Sequence, residues 1–149
     1  MRALIAVFRS LDDNTITAIH RIRLDQPERW PKAERRMLGP VGRAAVKLDC
    51  DVGDALVIGE GVETCMAAHQ LMTTGELERA AVWALGSAGS IERFPVLPNV
   101  HTLRILCEND RANEEAREQC GLRWLNAGRR VRVIRPTDDC KDLNDVLEG

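Results

Sequence analysis

The chain has 149 residues, 44% of them hydrophobic and 30% charged, with a formal net charge of −2. That composition excludes a disordered or collagen-like chain and suits one domain with a real core, or one domain plus a short extension. No apolar run approaches the roughly 20 residues a membrane helix needs. The five cysteines, Cys50, Cys65, Cys107, Cys120 and Cys140, are odd in number and include no Cys-x-x-Cys pair, so neither a disulfide framework nor a zinc ribbon is expected. The expected location is cytoplasmic, with no membrane partner.

The charge is unevenly spread. Residues 1–48 hold ten Lys/Arg against five Asp/Glu, a balance of +5; residues 49–149 hold eleven against eighteen, a balance of −7. A basic lead-in joined to an acidic body hints at a polyanionic partner beside a metal-binding acidic site, although a solvated surface accounts for the same numbers.

In chain order, Ala3 to Phe8 and Thr15 to Leu24 read as strands. Asp12-Asp13-Asn14 supplies turn chemistry between them, which predicts an antiparallel hairpin. Gln26 to Gly42 holds three prolines and two glycines and reads as a loop. Within it Arg29, Lys32, Arg35 and Arg36 surround Trp30, a composition able to grip single-stranded nucleic acid. An exposed connector whose tryptophan covers a core edge is the plainer account. Ala44 to Leu48 is a further short strand.

From Asp54 the pattern becomes alternating strands and helices. Ala55 to Ile58 is a compact apolar run, Glu60-Gly61 turns the chain, and Val62 to Met72 places Val62, Cys65, Met66, His69 and Met72 at helical spacing. Ala80 to Leu85 leads into the turn Gly86-Ser87-Ala88-Gly89-Ser90, with a short helix around Ser90 to Phe94. His101 to Cys107 is the third strand of this series. Arg111 to Ala127 is the longest helix, with apolar Ala112, Ala116, Cys120, Leu122 and Trp124, and Gly128 ends it. Val131 to Ile134 is the fourth strand and Lys141 to Leu147 a closing helix. Four such units predict a mainly parallel four-stranded sheet flanked by helices.

The chemistry gathers at the carboxyl ends of these strands, where open α/β sheets bind ligands. Glu60 follows the first, Ser87 and Gly89 the second, Glu108 and Asp110 the third, and Asp138, Asp139 and Asp142 the fourth. Glu108 and Asp110 are two apart, so extended chain points both carboxylates to one side. Carboxylates that converge repel unless a cation sits between them, and hard oxygen ligands suit Mg²⁺. Cys107 alternates to the opposite side and reads as core. For Glu60 and Glu63 the plainer account is a favourable placement at a helix N-terminus, worth a fraction of a kcal/mol.

Three stretches, Glu60-Gly61-Val62-Glu63-Thr64, Glu108-Asn109-Asp110 and Lys141-Asp142-Leu143-Asn144-Asp145-Val146-Leu147, resemble the motifs of the Toprim domain, in the variant found in primases and primase-helicases of phages and mobile elements. The resemblance covers about residues 50–149. The segment before it, with Ala18-Ile19-His20-Arg21 and Arg36-Met37-Leu38-Gly39-Pro40, is similar to the one that precedes Toprim in that branch. What this implies is an α/β, Rossmann-like Toprim catalytic domain at 50–149, preceded by a strand-rich basic extension at 1–49. It also implies Mg²⁺ or Mn²⁺ dependence, with DNA or RNA and nucleoside triphosphates as partners in DNA replication or a mobile-element system. By match to the motifs, Glu60 takes the place of the family's general acid/base, and Glu108 and Asp110 that of its Asp-x-Asp metal pair. Glu63, Ser87, Gly89, Lys141 and Asp142 complete the expected rim. Two positions depart from the pattern: Glu108 is one methylene longer than the usual aspartate, and Asn113 stands where this branch often has glycine.

The chain has no tyrosine, so it cannot form the phosphotyrosine link of a Toprim topoisomerase unaided. It also has no P-loop motif and no zinc-ribbon cysteines, which leaves a helicase or zinc-ribbon protein as a separately encoded partner. Primase-like nucleotidyl transfer leads the readings. A metal-dependent nuclease and a non-catalytic nucleic-acid-binding module are the alternatives.

Overall fold

The computed structural model of the protein describes residues 2–24, 36–108 and 111–136. The chain divides into two compact units, Met1–Lys47 and Leu48–Gly149.

The first unit is antiparallel: β1 (Ala3–Ser10), β2 (Ile16–Arg23), β3 (Arg36–Leu38) and β4 (Ala44–Lys47), with β1 between β2 and β4 and β3 on the far side of β2. The β1–β2 hairpin turns where Asn14 takes φ of 62°, a left-handed conformation that asparagine tolerates better than most residues. Asp13 fastens this turn by accepting hydrogen bonds from the Thr15 backbone NH and hydroxyl at 3.1 and 2.7 Å. Alternation sorts the strands into two faces: Ala6 and Phe8 of β1 and Ala18 and Ile22 of β2 are buried, while Ile5 is 48% exposed. Arg36–Leu38 departs from the expected loop. It forms a third strand against β2, with Arg36 opposite Arg21 and Leu38 opposite Ile19, despite its proline- and glycine-rich surroundings.

The second unit carries β5 (Ala55–Gly59), α1 (Val62–Thr74), β6 (Ala81–Ala84), α2 (Ala88–Glu92), β7 (Thr102–Leu106), α3 (Arg111–Asn126) and β8 (Arg130–Ile134). Its strands run parallel in the order β6-β5-β7-β8. Such a sheet needs cover on both faces, and accordingly Leu56, Val57, Ile58, Leu103 and Ile105 are fully buried. The four-stranded parallel sheet expected from the sequence is therefore half of the strand inventory: eight strands occur among the described residues, mixed in direction, because the lead-in builds four of its own.

Two helical residues expected in the core are on the outside. Met66 is 44% exposed and Leu122 49%. On α1 the buried positions are Val62, Thr64, Cys65, Ala67, Ala68, Leu71 and Met72, a wide stripe, and on α3 the described ones are Asn113, Ala116, Arg117, Cys120, Gly121 and Trp124, which follow the three-and-four spacing of one helix face. Leu122 falls between these positions. Trp124 stacks on Phe94, with ring centroids 6.0 Å apart, and Phe94 meets Trp83 edge-on at 6.4 Å. Arg123 donates to the carbonyls of Glu92 and Phe94 at 2.6 and 3.1 Å, closing off the end of α2. Arg104 is buried in β7 and is neutralised by the carboxylate of Glu78, whose carbonyl it also reaches at 2.8 Å.

Burial divides the thiols. Cys65, Cys107 and Cys120 are buried and Cys50 is exposed. Burial pushes the Cys120 thiol up to about 11, against a smaller opposing pull from Arg123. Maleimide labelling of the folded protein, mapped by mass spectrometry, should modify Cys50 first. Cys65 and Cys120 should stay unmodified even near pH 9.5, where an ordinary thiol with pKa of about 8.5 is largely ionised. Equal labelling of Cys50, Cys65 and Cys120 would contradict this packing.

Candidate active site

Glu60 leaves β5 directly after Gly59. The pairing of Ile58 with Ile105, carried two residues on, sets Glu60 beside Cys107 and one step from Glu108. On the other flank Gly86 NH donates to the Glu60 carbonyl at 2.8 Å, which brings the 86–90 turn alongside. Glu60 is half-buried, and its Oε2 is shut off from solvent.

Two glycines allow this turn. A Cβ at Gly59 would lie 2.8 Å from Cys65 Sγ and 3.0 Å from Leu106 Cδ1, so the first turn of α1 packs directly on the end of the sheet. A Cβ at Gly61 would lie 3.2 Å from Glu108 Oε1 and 3.9 Å from Glu63 Oε2, so these two carboxylates converge on the N-terminus of α1. The Thr64 hydroxyl donates to Glu108 Oε1 at 3.0 Å. Burial first, then the charges of Glu108 and Glu63, raise the Cys65 thiol above its usual range.

Further along the rim, Ser87 caps α2 by accepting from Ser90 NH at 3.1 Å, and a Cβ at Gly89 would meet the Arg93 guanidinium at 3.2 Å. Arg117, buried in α3, donates to the Glu108 carbonyl at 3.3 Å. Arg135 reaches Cys107 Sγ at the same distance. Cys107 is buried, as its alternation with Glu108 predicts. Thus Glu60, Glu63, Glu108 and the 86–90 turn share one end of the parallel sheet. Asp110, Lys141 and Asp142, with Asp138, Asp139 and the expected closing helix, lie outside the described residues, as do Arg29, Trp30, Lys32 and Arg35 of the basic lead-in. Arg36 is described and exposed on β3.

Residues 55–149 match the family model of the Toprim domain. The chain belongs to the Toprim family. A crystal structure of a DNA primase domain from Pseudomonas aeruginosa is similar in fold, with a TM-score of 0.53 at 14% sequence identity, over 96% of this chain and 52% of that one. The chain spans about half the length of that structure. No curated protein matches the sequence.

Among the described residues no three His, Cys, Asp or Glu side chains gather as a metal ion requires. The donors at this Toprim rim nonetheless suit a hard divalent ion in kind, since two carboxylates face each other across the start of α1. Three residues with contacts here were not among the expected rim: Thr64, Arg117 and Arg135. Thr64 stood inside the quoted motif, and its place in the first turn of a helix was the available signal. Arg117 falls on the buried stripe of α3, where an arginine needs a polar partner.

The crowding at Gly59 can be measured. Gly59→Ala should lower stability by about 1–3 kcal/mol through overpacking. Gly53→Ala, where an added Cβ would meet nothing within 4 Å, should be neutral or gain up to about 1 kcal/mol. Equal effects in chemical denaturation would show that α1 does not sit this close to the sheet.

Proposed function

We propose that this Toprim protein carries out divalent-metal-dependent nucleotidyl transfer on nucleic acid, as a primase-like module. The observation that carries the reading is the approach of Glu63 and Glu108 at the start of α1, with Glu60 at the same end of the parallel sheet, in a chain of this family. Toprim domains generally bind divalent metals such as Mg²⁺, and the fold neighbour is a DNA primase domain; both support a metal-binding, nucleic-acid-related role.

Glu108 with Asp110 would hold Mg²⁺ or Mn²⁺, and Glu63 approaches Glu108 at the start of α1. A bound ion supplies charge neutralisation for the triphosphate and its leaving group. Glu60 acts as general base: its carboxylate takes the proton from the 3′-hydroxyl as that oxygen bonds to the α-phosphorus and the α–β phosphoanhydride bond breaks, releasing pyrophosphate. The partial burial of Glu60 limits competing contact with water. The helix N-terminus next to Gly61 offers positive potential to an anionic substrate. Ser87, Gly89, Lys141 and Asp142 belong to the same proposed rim, and the proposed setting is replication in a phage or mobile-element system.

One contact favours a second reading. Glu108 Oε1 already accepts from Thr64, and a carboxylate engaged with its own helix fits a non-catalytic nucleic-acid-binding module. Labelled-nucleotide extension and strand-nicking assays run side by side separate the readings. The wild type should extend a primed or unprimed strand with Mg²⁺ or Mn²⁺. Glu60→Gln should lose about 10²-fold or more of that activity while its melting temperature holds or rises, because a carboxylate is removed from an acidic cluster. Nicking without extension would favour the nuclease, and strand binding with neither activity the binding module. A large loss of stability in Glu60→Gln would assign Glu60 a structural role.

A further inference from the structure

The four strands of the first unit hold all of their formal charge in one sign. Arg9, Arg21, Arg23, Arg36 and Lys47 lie on them, and no aspartate or glutamate does. The described acids of this unit, Asp12 and Asp13, are in the hairpin turn. There Asp13 binds Thr15, and Asp12 meets Arg43 at 3.3 Å.

The register shows where the arginines stand. On the face opposite to buried Ala6, Phe8, Ala18 and Ile22, one row runs Ile5–Arg21–Arg36 across β1, β2 and β3. The next row runs Val7–Ile19–Leu38, and Arg23 lies opposite Ala3. Ile5 is 48% and Leu38 56% exposed, so this face is open. Arg21 and Arg36 are directly opposed across neighbouring strands, where like charges destabilise a sheet. Neither has an acidic partner among the described residues. A like-charged pair with no counter-charge among the described residues is an arrangement that an anion relieves.

We infer that this face of the N-terminal sheet, centred on Arg21 and Arg36 with Arg23 beside them, binds the phosphate backbone of a single nucleic-acid strand. Neighbouring strands are about 4.8 Å apart, so the guanidinium groups of Arg21 and Arg36 can serve adjacent phosphates, each with a fork of donors. The rows hold isoleucine, valine and leucine and no aromatic ring. They offer no stacking platform for bases, and the grip is therefore on backbone rather than sequence. The inference rests on the proposed nucleic-acid function but not on its chemistry.

Fluorescence anisotropy of the full chain with short labelled oligonucleotides, over a series of KCl concentrations, tests it. The wild type and the Glu60→Gln chain should both bind single strands of different sequence alike. Arg21→Gln/Arg36→Gln should lower the log–log salt slope by about 1.4, from roughly 0.7 per phosphate contact on single strands. Its melting temperature should hold or rise as the repulsion is removed. Arg21→Lys/Arg36→Lys should keep most of the slope, and Arg43→Gln, which removes a cation outside the strands, should leave it unchanged. No binding at low salt, an unchanged slope in the double glutamine variant, or an equal fall with Arg43→Gln overturns the inference. So does tighter binding to anionic phospholipid vesicles than to the strand. Binding with these properties but no transfer by the wild type retains the face and removes the catalytic reading.

Discussion

The first turn of α1 rests on the end of β5 with almost no space between them. The packing works because residue 59 has no side chain: Cys65 Sγ and Leu106 Cδ1 occupy the place a Cβ would need. The geometry of the rim follows from that contact. Gly61 begins the helix within reach of the loop after β7, Thr64 can then bond Glu108, and Glu63 and Glu108 are brought to the same spot. A bulkier residue at 59 would lift α1 and separate the carboxylates that make the rim distinctive.

Magnitudes indicate why that rim suits a cation. Glu63 Oε2 and Glu108 Oε1 lie 3.9 and 3.2 Å from one point, hence at most about 7 Å apart. Two unit charges at that distance repel by roughly 2 kcal/mol at an effective dielectric constant near 20. The N-terminus of a helix returns about 0.3–1 kcal/mol to a nearby anion, and the Thr64 hydroxyl adds one hydrogen bond to a charged group, about 1.5–3 kcal/mol. The pair is therefore tolerable without a metal but not relaxed, which is consistent with burial and these two charges together raising the Cys65 thiol.

Much of the architecture was legible in the sequence because periodicity is local. Ala55–Gly59 and Ala81–Ala84 are short apolar runs and Thr102–Leu106 is one interrupted by Arg104, and glycine or acid follows each at the edge where the chain must turn. Faces were harder to read. Met66 and Leu122 are as hydrophobic as their neighbours, and only the position of the sheet decides that they face outward. Arg36–Leu38 was hidden by its surroundings, since pairing with β2 is a long-range property that the flanking prolines and glycines mask. At the rim, the order of Glu60, the 86–90 turn and Glu108 could be read from strand ends. The hydrogen bond from Thr64 to Glu108 joins residues 44 apart in sequence, and no local pattern announces it.

The row Trp83–Phe94–Trp124 has a spectroscopic consequence. The chain has three tryptophans and no tyrosine, and two of the three belong to this one aromatic cluster. Trp83 is also tied at both ends: its indole NH donates to the Asp49 carbonyl at 3.0 Å, and its own carbonyl receives the Cys65 thiol at 3.6 Å. Among the described residues, the tryptophan contribution to near-ultraviolet dichroism accordingly comes from one small region of the second unit. That region touches the helix packed beneath Glu60 on one side and leads, three residues on, into the 86–90 turn on the other. The protein thus carries its own optical probe of the rim, built from side chains whose first task is to fill the core.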